Sequence, residues 1–242
     1  MKLDILAIGA HPDDVELSCG GTLAKCVQLG YKAGIVDLTQ GESGTRGNKN
    51  IRAREAAAAA KILGVHVREN LRLPDGRFEV NESNRMKLIT IIRKYRPTFL
   101  LIPHSSERHP DHVHAHHLAK EAWFYSGLAK LATRSGRILQ EPWRPKNYFH
   151  FMQKYEFAPS FIVDVTGVYE RRMSAIRAHK SQFFNPESIE PETLLSQKSF
   201  LDFIETRAKY YGSEIGVRYG EPFYSVEAVG TSDIFSLRFS GG

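Results

Sequence analysis

Leu3-Asp4-Ile5-Leu6-Ala7-Ile8-Gly9-Ala10-His11-Pro12-Asp13-Asp14-Val15 decides how this chain folds. Residues 3–9 form a β-rich apolar run of the length of one buried strand. The run stops at a tight proline-containing turn, and a helical pattern follows over 15–30, closed by Gly30 as glycine often closes helices. The arrangement returns about a hundred residues later. An apolar run at 98–103 leads through a polar loop into His109-Pro110-Asp111-His112 and a helical pattern over 111–128. In an open parallel sheet, such strand-to-helix turns gather along one edge, at the carboxyl ends of the strands, where ligands bind. Two turns far apart in sequence then pool two histidines and a carboxylate at one place, a ligand set that suits zinc.

Between the two tracts the alternation continues. Residues 33–39 read as a strand, 51–64 as an Ala-rich helix ending in Gly64, 65–71 as a strand, and 82–95 as a helix stopped by Arg96-Pro97. Repeated βα units of this size predict an α/β fold: a Rossmann-like, mostly parallel sheet with helices on both faces and an active site at the carboxyl ends of the strands. The second half is less regular. Strands are expected at 148–152, 161–165 and 223–228, helices at 169–183 and 193–211, and loops at 134–146 and 185–192. With no repeat or linker, 1–242 reads as a single domain. Residues 1–130 are its regular βα half and 131–242 a less regular half for substrate or subunit contacts.

Composition narrows the classes. The chain has 242 residues, 42% hydrophobic and 25% charged, as in a folded soluble domain rather than a disordered or membrane chain. No apolar run approaches the roughly 18–20 residues of a membrane-spanning helix, and the first residues read as a strand rather than a signal peptide. Cys19 and Cys26 are seven apart on one predicted helix, roughly 10 Å along its axis and too far for a disulfide. Cytoplasm is the expected compartment. The net charge of +6 comes from dispersed Lys and Arg without a basic block or a nucleic-acid motif. It points to an anionic small-molecule substrate, or simply to a solvated surface, and away from nucleic acid.

Nucleotide sites fare poorly. The first turn reads Gly9-Ala10-His11-Pro12-Asp13-Asp14 rather than G-x-G-x-x-G, and two acids at a helix start repel a pyrophosphate. Asp37 is then structural or supports the site from behind. The glycines of 41–47 lack the lysine and hydroxyl of a phosphate loop. His112 and His116 have the spacing of an HExxH zinc helix, but Val113 stands where the glutamate belongs. His114 and His117 are expected on the surface. His11 and Asp14, three apart over the turn, can face one point, leaving Asp13 free as a base. The competing reading has Asp13 or Asp14 merely capping the helix.

GAHPDD, the TxGE…G segment from Thr39 to Gly44, Arg52 with Glu55, and HPDH together resemble the LmbE-like/PIG-L family of zinc-dependent N-acetylglucosaminyl deacetylases. The similarity runs over residues 3–122 and more weakly through Ala178–Phe183 and Tyr219–Phe223. Within the family the chain is most similar to the bacillithiol-biosynthesis branch, which deacetylates N-acetylglucosaminyl-malate. The resemblance implies zinc on His11, Asp14 and His112 with a water at the open position, Asp13 as general base, and His109 as the group that polarises the carbonyl, oriented by Asp111. It implies Arg52, Asp75, Glu42 and Ser43 as substrate contacts, no organic cofactor, and a homo-oligomer such as a hexamer. Whether Arg52 or Arg54 meets the substrate stays open, as does a lid or subunit-contact role for 125–146. N/O ligands do not select zinc by affinity alone, so Fe2+ or another divalent ion fits the same set. The rivals are a deacetylase of another N-acetyl sugar (a mycothiol precursor, chitobiose or an antibiotic intermediate) and a non-catalytic metal-binding protein. Asp13 and His109, present beyond three ligands, argue for an enzyme, because closed structural zinc sites use four protein ligands.

Overall fold

The computed structural model describes residues 1–240. The chain runs β1 (Ile5–Gly9), α1 (Asp14–Gln28), β2 (Ala33–Thr39), α2 (Lys49–Leu63), β3 (Val67–Leu73), α3 (Glu82–Tyr95), β4 (Phe99–Pro103) and α4 (Pro110–Tyr125). It continues through a small hairpin, β5 (Arg134–Ser135) and β6 (Ile138–Leu139), to β7 (Asn147–Phe151), β8 (Phe161–Asp164), α5 (Tyr169–Ala178), α6 (Lys198–Ser213) and β9 (Gly220–Tyr224). Seven strands form one sheet in the order β3-β2-β1-β4-β7-β9-β8. The first five are parallel, and β9 runs antiparallel to both β7 and β8.

Alternation along the strands feeds two cores. Ile5 and Ala7 of β1 pack with residues of α1, α2, α5 and α6 on one face, whereas Leu6 and Ile8 pack with residues of α3 and α4 on the other. A fully buried aliphatic side chain of this kind contributes about 1.5–3 kcal/mol. The helices start and stop where local chemistry directs. Asn48 accepts from the N–H groups of Asn50 and Ile51 at the start of α2, and Gly64 ends that helix in the left-handed conformation at φ 77°.

Helix α1 is broken at Cys19, whose φ is −143°. Arg172 and Arg207 donate to the carbonyl of Leu17 at 2.6 and 2.9 Å, and the Glu221 carboxylate accepts from the N–H groups of Gly21 and Thr22 at 2.9 and 2.6 Å. Three distant side chains thus satisfy the polar groups that the break frees. Both cysteine thiols are free.

Three expectations for the second half are corrected. The last strand lies at Gly220–Tyr224 rather than 223–228. Pro222 argues against a paired strand, yet β9 meets β7 only at Phe223 and Tyr224, so nothing on that side asks for its missing N–H. Helix α5 ends at Ala178, short of 183, because His179 turns inward to Glu16 at 3.1 Å. Helix α6 begins at Lys198 rather than 193, after a turn in which Ser196 N–H bonds to the Thr193 carbonyl at 3.1 Å.

Candidate active site

From β1 the chain proceeds outward to β2 and β3, then returns to the other side of β1 as β4. Strands β1 and β4 are paired in register, Ile5 opposite Phe99 and Ala7 opposite Leu101. The loops leaving their carboxyl ends therefore diverge over a crevice, the switch point where open α/β sheets bind ligands. His11-Pro12-Asp13-Asp14 follows β1 and His109-Pro110-Asp111-His112 follows the loop after β4. The topology is what unites the two tracts.

His11, Asp14 and His112 each present a ligand atom within 4.8 Å of the others. His112 Nε2 lies 3.2 Å from Asp14 Oδ1, and His11 Nδ1 lies 3.5 Å from Asp14 Oδ2. The other nitrogen of His11, Nε2, meets Asp75 Oδ1 at 3.0 Å and Asp111 Oδ2 at 3.2 Å. That is the support found behind metal-binding histidines, where carboxylates hold the far ring nitrogen. Burial opposes a charge on His11, but its bonds to Asp111, Asp14 and Asp75 prevail and raise its pKa well above the imidazole range. Burial likewise opposes ionisation of Asp14, yet the charges of His112 and His11 hold its carboxyl well below the usual range. The site attracts positive charge, and His112 Nδ1 is buried with no partner among the described residues. Two imidazoles and a carboxylate fit a divalent metal with an open position.

Asp13 behaves differently from its neighbour. It precedes α1 with φ 135° and ψ −25°, and its side chain makes no capping bond. For a residue other than glycine this conformation is costly, about 1–3 kcal/mol, and such strain gathers at functional positions. Its carboxylate turns to Arg52, with Nη2 at 3.2 Å. Burial raises the pKa of Asp13, opposed by the Arg52 charge. A buried carboxylate beside the ligand set, neither ligand nor cap, has the surroundings of a general base.

The remaining expected residues are placed unevenly. His109 caps α4 by accepting the Asp111 N–H on Nδ1 at 3.1 Å. Asp111 thus orients His109 through its backbone, a correction to the expected role of its side chain. The Asp111 carboxylate instead takes the Gly76 N–H at 2.8 Å and faces His11. Asp75 stands behind His11, and its other oxygen accepts the Ser43 N–H at 2.8 Å. Burial opposes ionisation of Asp75, but the bond to His11 and the charge of His11 push its pKa down to about 2. Glu42 accepts the Asp75 N–H at 3.0 Å and is outside the cavity wall. Arg52 faces the site while Arg54 is exposed. The Arg52 Nη atoms are engaged by Gly41 O at 3.0 Å, Pro12 O at 2.8 Å and Asp13, so it holds Asp13 rather than reaching outward.

Several side chains escape the sequence reading. Gln153, just past β7, donates to Asp14 Oδ1 at 3.1 Å. Its signal was available, because it too follows the carboxyl end of a parallel strand beside β4. His116 leaves the site, bonds to the Pro103 carbonyl at 3.1 Å and stacks on His150. Asp37 is structural: Arg68 grips it with two bonds of 2.8 and 2.9 Å and also reaches the buried Glu16. Residues 125–146 line none of the cavity. They pack beside α3, where Arg93 donates to the carbonyls of Ser126, Leu128 and Leu131.

The crevice opens into a cavity of about 480 Å³. Fold and site together define a doubly wound α/β protein with a candidate His/Asp metal site and a separate buried carboxylate at the switch point. Residues 6–123 match the family model PIG-L, GlcNAc-PI de-N-acetylase. The diacetylchitobiose deacetylase of Thermococcus kodakarensis is 32% identical over 232 residues, 90% of this chain and 80% of that protein. The chain belongs to the PIG-L/LmbE-like deacetylase family. Among solved structures, the conserved protein TT1542 of Thermus thermophilus superposes with a TM-score of 0.85 at 36% identity, over 96% of this chain and 98% of that one. The N,N'-diacetylchitobiose deacetylase of Pyrococcus horikoshii gives 0.77 at 30% identity, over 91% and 82%.

Proposed function

We propose that this protein hydrolyses the acetamide of an N-acetylglucosamine conjugate. The observation that carries the reading is Asp13, a buried and conformationally strained carboxylate beside a ligand set of two histidines and one aspartate. The similarity to deacetylases of N-acetylated sugars supports it.

His11, Asp14 and His112 would hold zinc, or Fe2+ in its place. When bound, such an ion acts as a Lewis acid and makes water acidic enough to attack at neutral pH. The protein's own part is proton handling and placement. Asp13, its pKa raised by burial, accepts a proton from the attacking water. Because His109 Nδ1 accepts the Asp111 N–H, the neutral ring carries its proton on Nε2. Burial and the nearby His11 and His112 charges lower the His109 pKa, which favours that neutral form. The Nε2–H then donates to the carbonyl oxygen as it gains negative charge. As the C–N bond breaks, Asp13 returns its proton to the amine, and acetate and the free amino sugar leave.

The finer reading is a conjugate with an anionic aglycone, N-acetylglucosaminyl-malate in bacillithiol biosynthesis. Arg108 and Lys154, exposed at the cavity mouth, suit its carboxylates. The cytoplasm fits two free thiols, and no helix of the described residues is long and apolar enough to cross a membrane. The test is acetate release by the zinc-loaded protein from N-acetylglucosaminyl-malate, N-acetylglucosamine and N,N'-diacetylchitobiose. Faster turnover of the malate conjugate supports the finer reading, preference for chitobiose replaces it, and metal retained with no acetate from any substrate removes the enzyme.

A further inference from the structure

The cavity has two chemically unlike walls. The loops after β2 and β3 supply Ser43, Thr45 and Asp75, polar groups suited to sugar hydroxyls. The other wall is one face of α6. Phe200, Phe203 and Ile204 recur at helical spacing and border the cavity, flanked by Leu194 and Leu195. Phe200 and Phe203 are half-buried, with ring centroids 6.2 Å apart and planes inclined by 39°. Phe183 stacks on Phe200 at 6.2 Å and 17°. Lys154 Nζ lies 4.7 Å and Arg207 Cζ 5.5 Å from the centre of Phe203. Phe200 is thus braced from behind by Phe183, and Phe203 is held by two cations that border the cavity with it.

Phe200, Phe203 and Ile204 offer a sugar hydroxyl no hydrogen-bond donor or acceptor, and a small anionic aglycone engages the cations of the cavity rather than these side chains. Both uses leave the aromatic face uncovered. A cavity of about 480 Å³ has room beyond one N-acetyl sugar for a group of ring size, not for a long chain. We infer that the enzyme also accepts N-acetylglucosaminides whose aglycone is an aryl group, the ring lying against Phe200 and Phe203. The inference rests on the deacetylase reading, which fixes the acetamide at the His11–Asp14–His112 end.

The experiment compares phenyl and methyl N-acetyl-β-D-glucosaminide on the zinc-loaded protein, by calorimetric titration and by acetate release. The phenyl glycoside is expected to bind about tenfold tighter, from apolar burial plus aromatic contact. In Phe203→Ser the ratio is expected to fall below about threefold. Phe203→Leu, which keeps an apolar side chain without the ring, is expected to lie between. Equal binding of the two glycosides, or a ratio preserved in both Phe200→Ser and Phe203→Ser, overturns the aryl subsite. N,N'-diacetylchitobiose binding as tightly as the phenyl glycoside also overturns it, because the wall then serves a second sugar ring. A binding preference without acetate release from either compound refutes the deacetylase reading and leaves the subsite standing.

Discussion

The backbone N–H of Asp111 donates to Nδ1 of His109 at 3.1 Å, so the residue that caps α4 is also fixed in one tautomer. Structure and chemistry here share a single bond. Replacing His109 with Asn keeps an acceptor for the cap and removes the Nε2–H. His109→Asn should therefore retain the native melting temperature within a few degrees while kcat falls by about 10²–10³, the usual cost of losing one oxyanion donor. His109→Ala should lose the same activity and also about 1 kcal/mol of stability with the cap. Full activity in the Asn variant would show that His109 only starts the helix.

Asp13 yields a test of strain that is independent of catalysis. At φ 135° any side chain is disfavoured and glycine is not. Asp13→Gly and Asp13→Ala lose the same carboxylate and leave Arg52 with the same remaining partners. The glycine variant should nevertheless be the more stable by about 1 kcal/mol or more, or about 2–4 °C in a domain of this size. Differential scanning calorimetry of the pair decides it, and equal melting temperatures would show that the position is unstrained.

Much of the fold was legible because β1, β2 and β4 are continuous apolar runs ending in polar turns, a pattern that sequence records locally. The clustering of His11, Asp14 and His112 was legible for the same reason, since all three sit in the turns past predicted strands. What sequence could not show was where side chains turn once buried. Arg52 and Asp75 belong to the site, yet one grips Asp13 and the other stands behind His11. Phe200 and Phe203 fall within the helix expected at 193–211, where helical spacing alone does not separate a core face from a cavity wall. Only the tertiary structure exposes them to the cavity. Pro222 and the broken α1 misled in another way, because their missing or freed polar groups are settled by partners such as Glu221 about two hundred residues from α1.

The break in α1 makes a prediction about two adjacent glycines. A Cβ on Gly21 would lie 2.7 Å from Glu221 Oε1 and 3.0 Å from Val165, whereas the nearest atoms to one on Gly20 are 3.6 Å away. Gly20→Ala should be neutral or stabilising by up to about 1 kcal/mol from helix propensity. Gly21→Ala should destabilise by about 1–3 kcal/mol through overpacking. Thermal melts that rank the variants in the opposite order would contradict the plugging of the break by Glu221.

Outside the His11–Asp14–His112 cluster, His116 and His150 should make stability depend on pH. Burial, with the charges of nearby histidines, pushes the pKa of His116 down to about 4 and that of His150 down to about 3. Both values lie below that of an unfolded histidine, about 6.5. Above that pH neither state binds the protons and the full stability is present. As pH falls below it, the unfolded chain takes up protons that the folded chain refuses, and stability declines toward the folded values. His150→Phe removes one such uptake. Its melting temperature should drop less than that of the native protein between pH 7.5 and pH 5, and parallel curves would contradict the burial of a neutral His150.

The division of labour between Asp13 and the residues on either side of it is tested most directly by Asp13→Asn, assayed for both metal content and acetate release. The variant is expected to keep one divalent ion per chain on His11, Asp14 and His112 while acetate release from N-acetylglucosaminyl-malate falls by about 10²–10⁴, the range for a lost general base. Native-like turnover by Asp13→Asn, or loss of the ion along with the activity, would contradict the assignment of Asp13 as the base and Asp14 as the ligand.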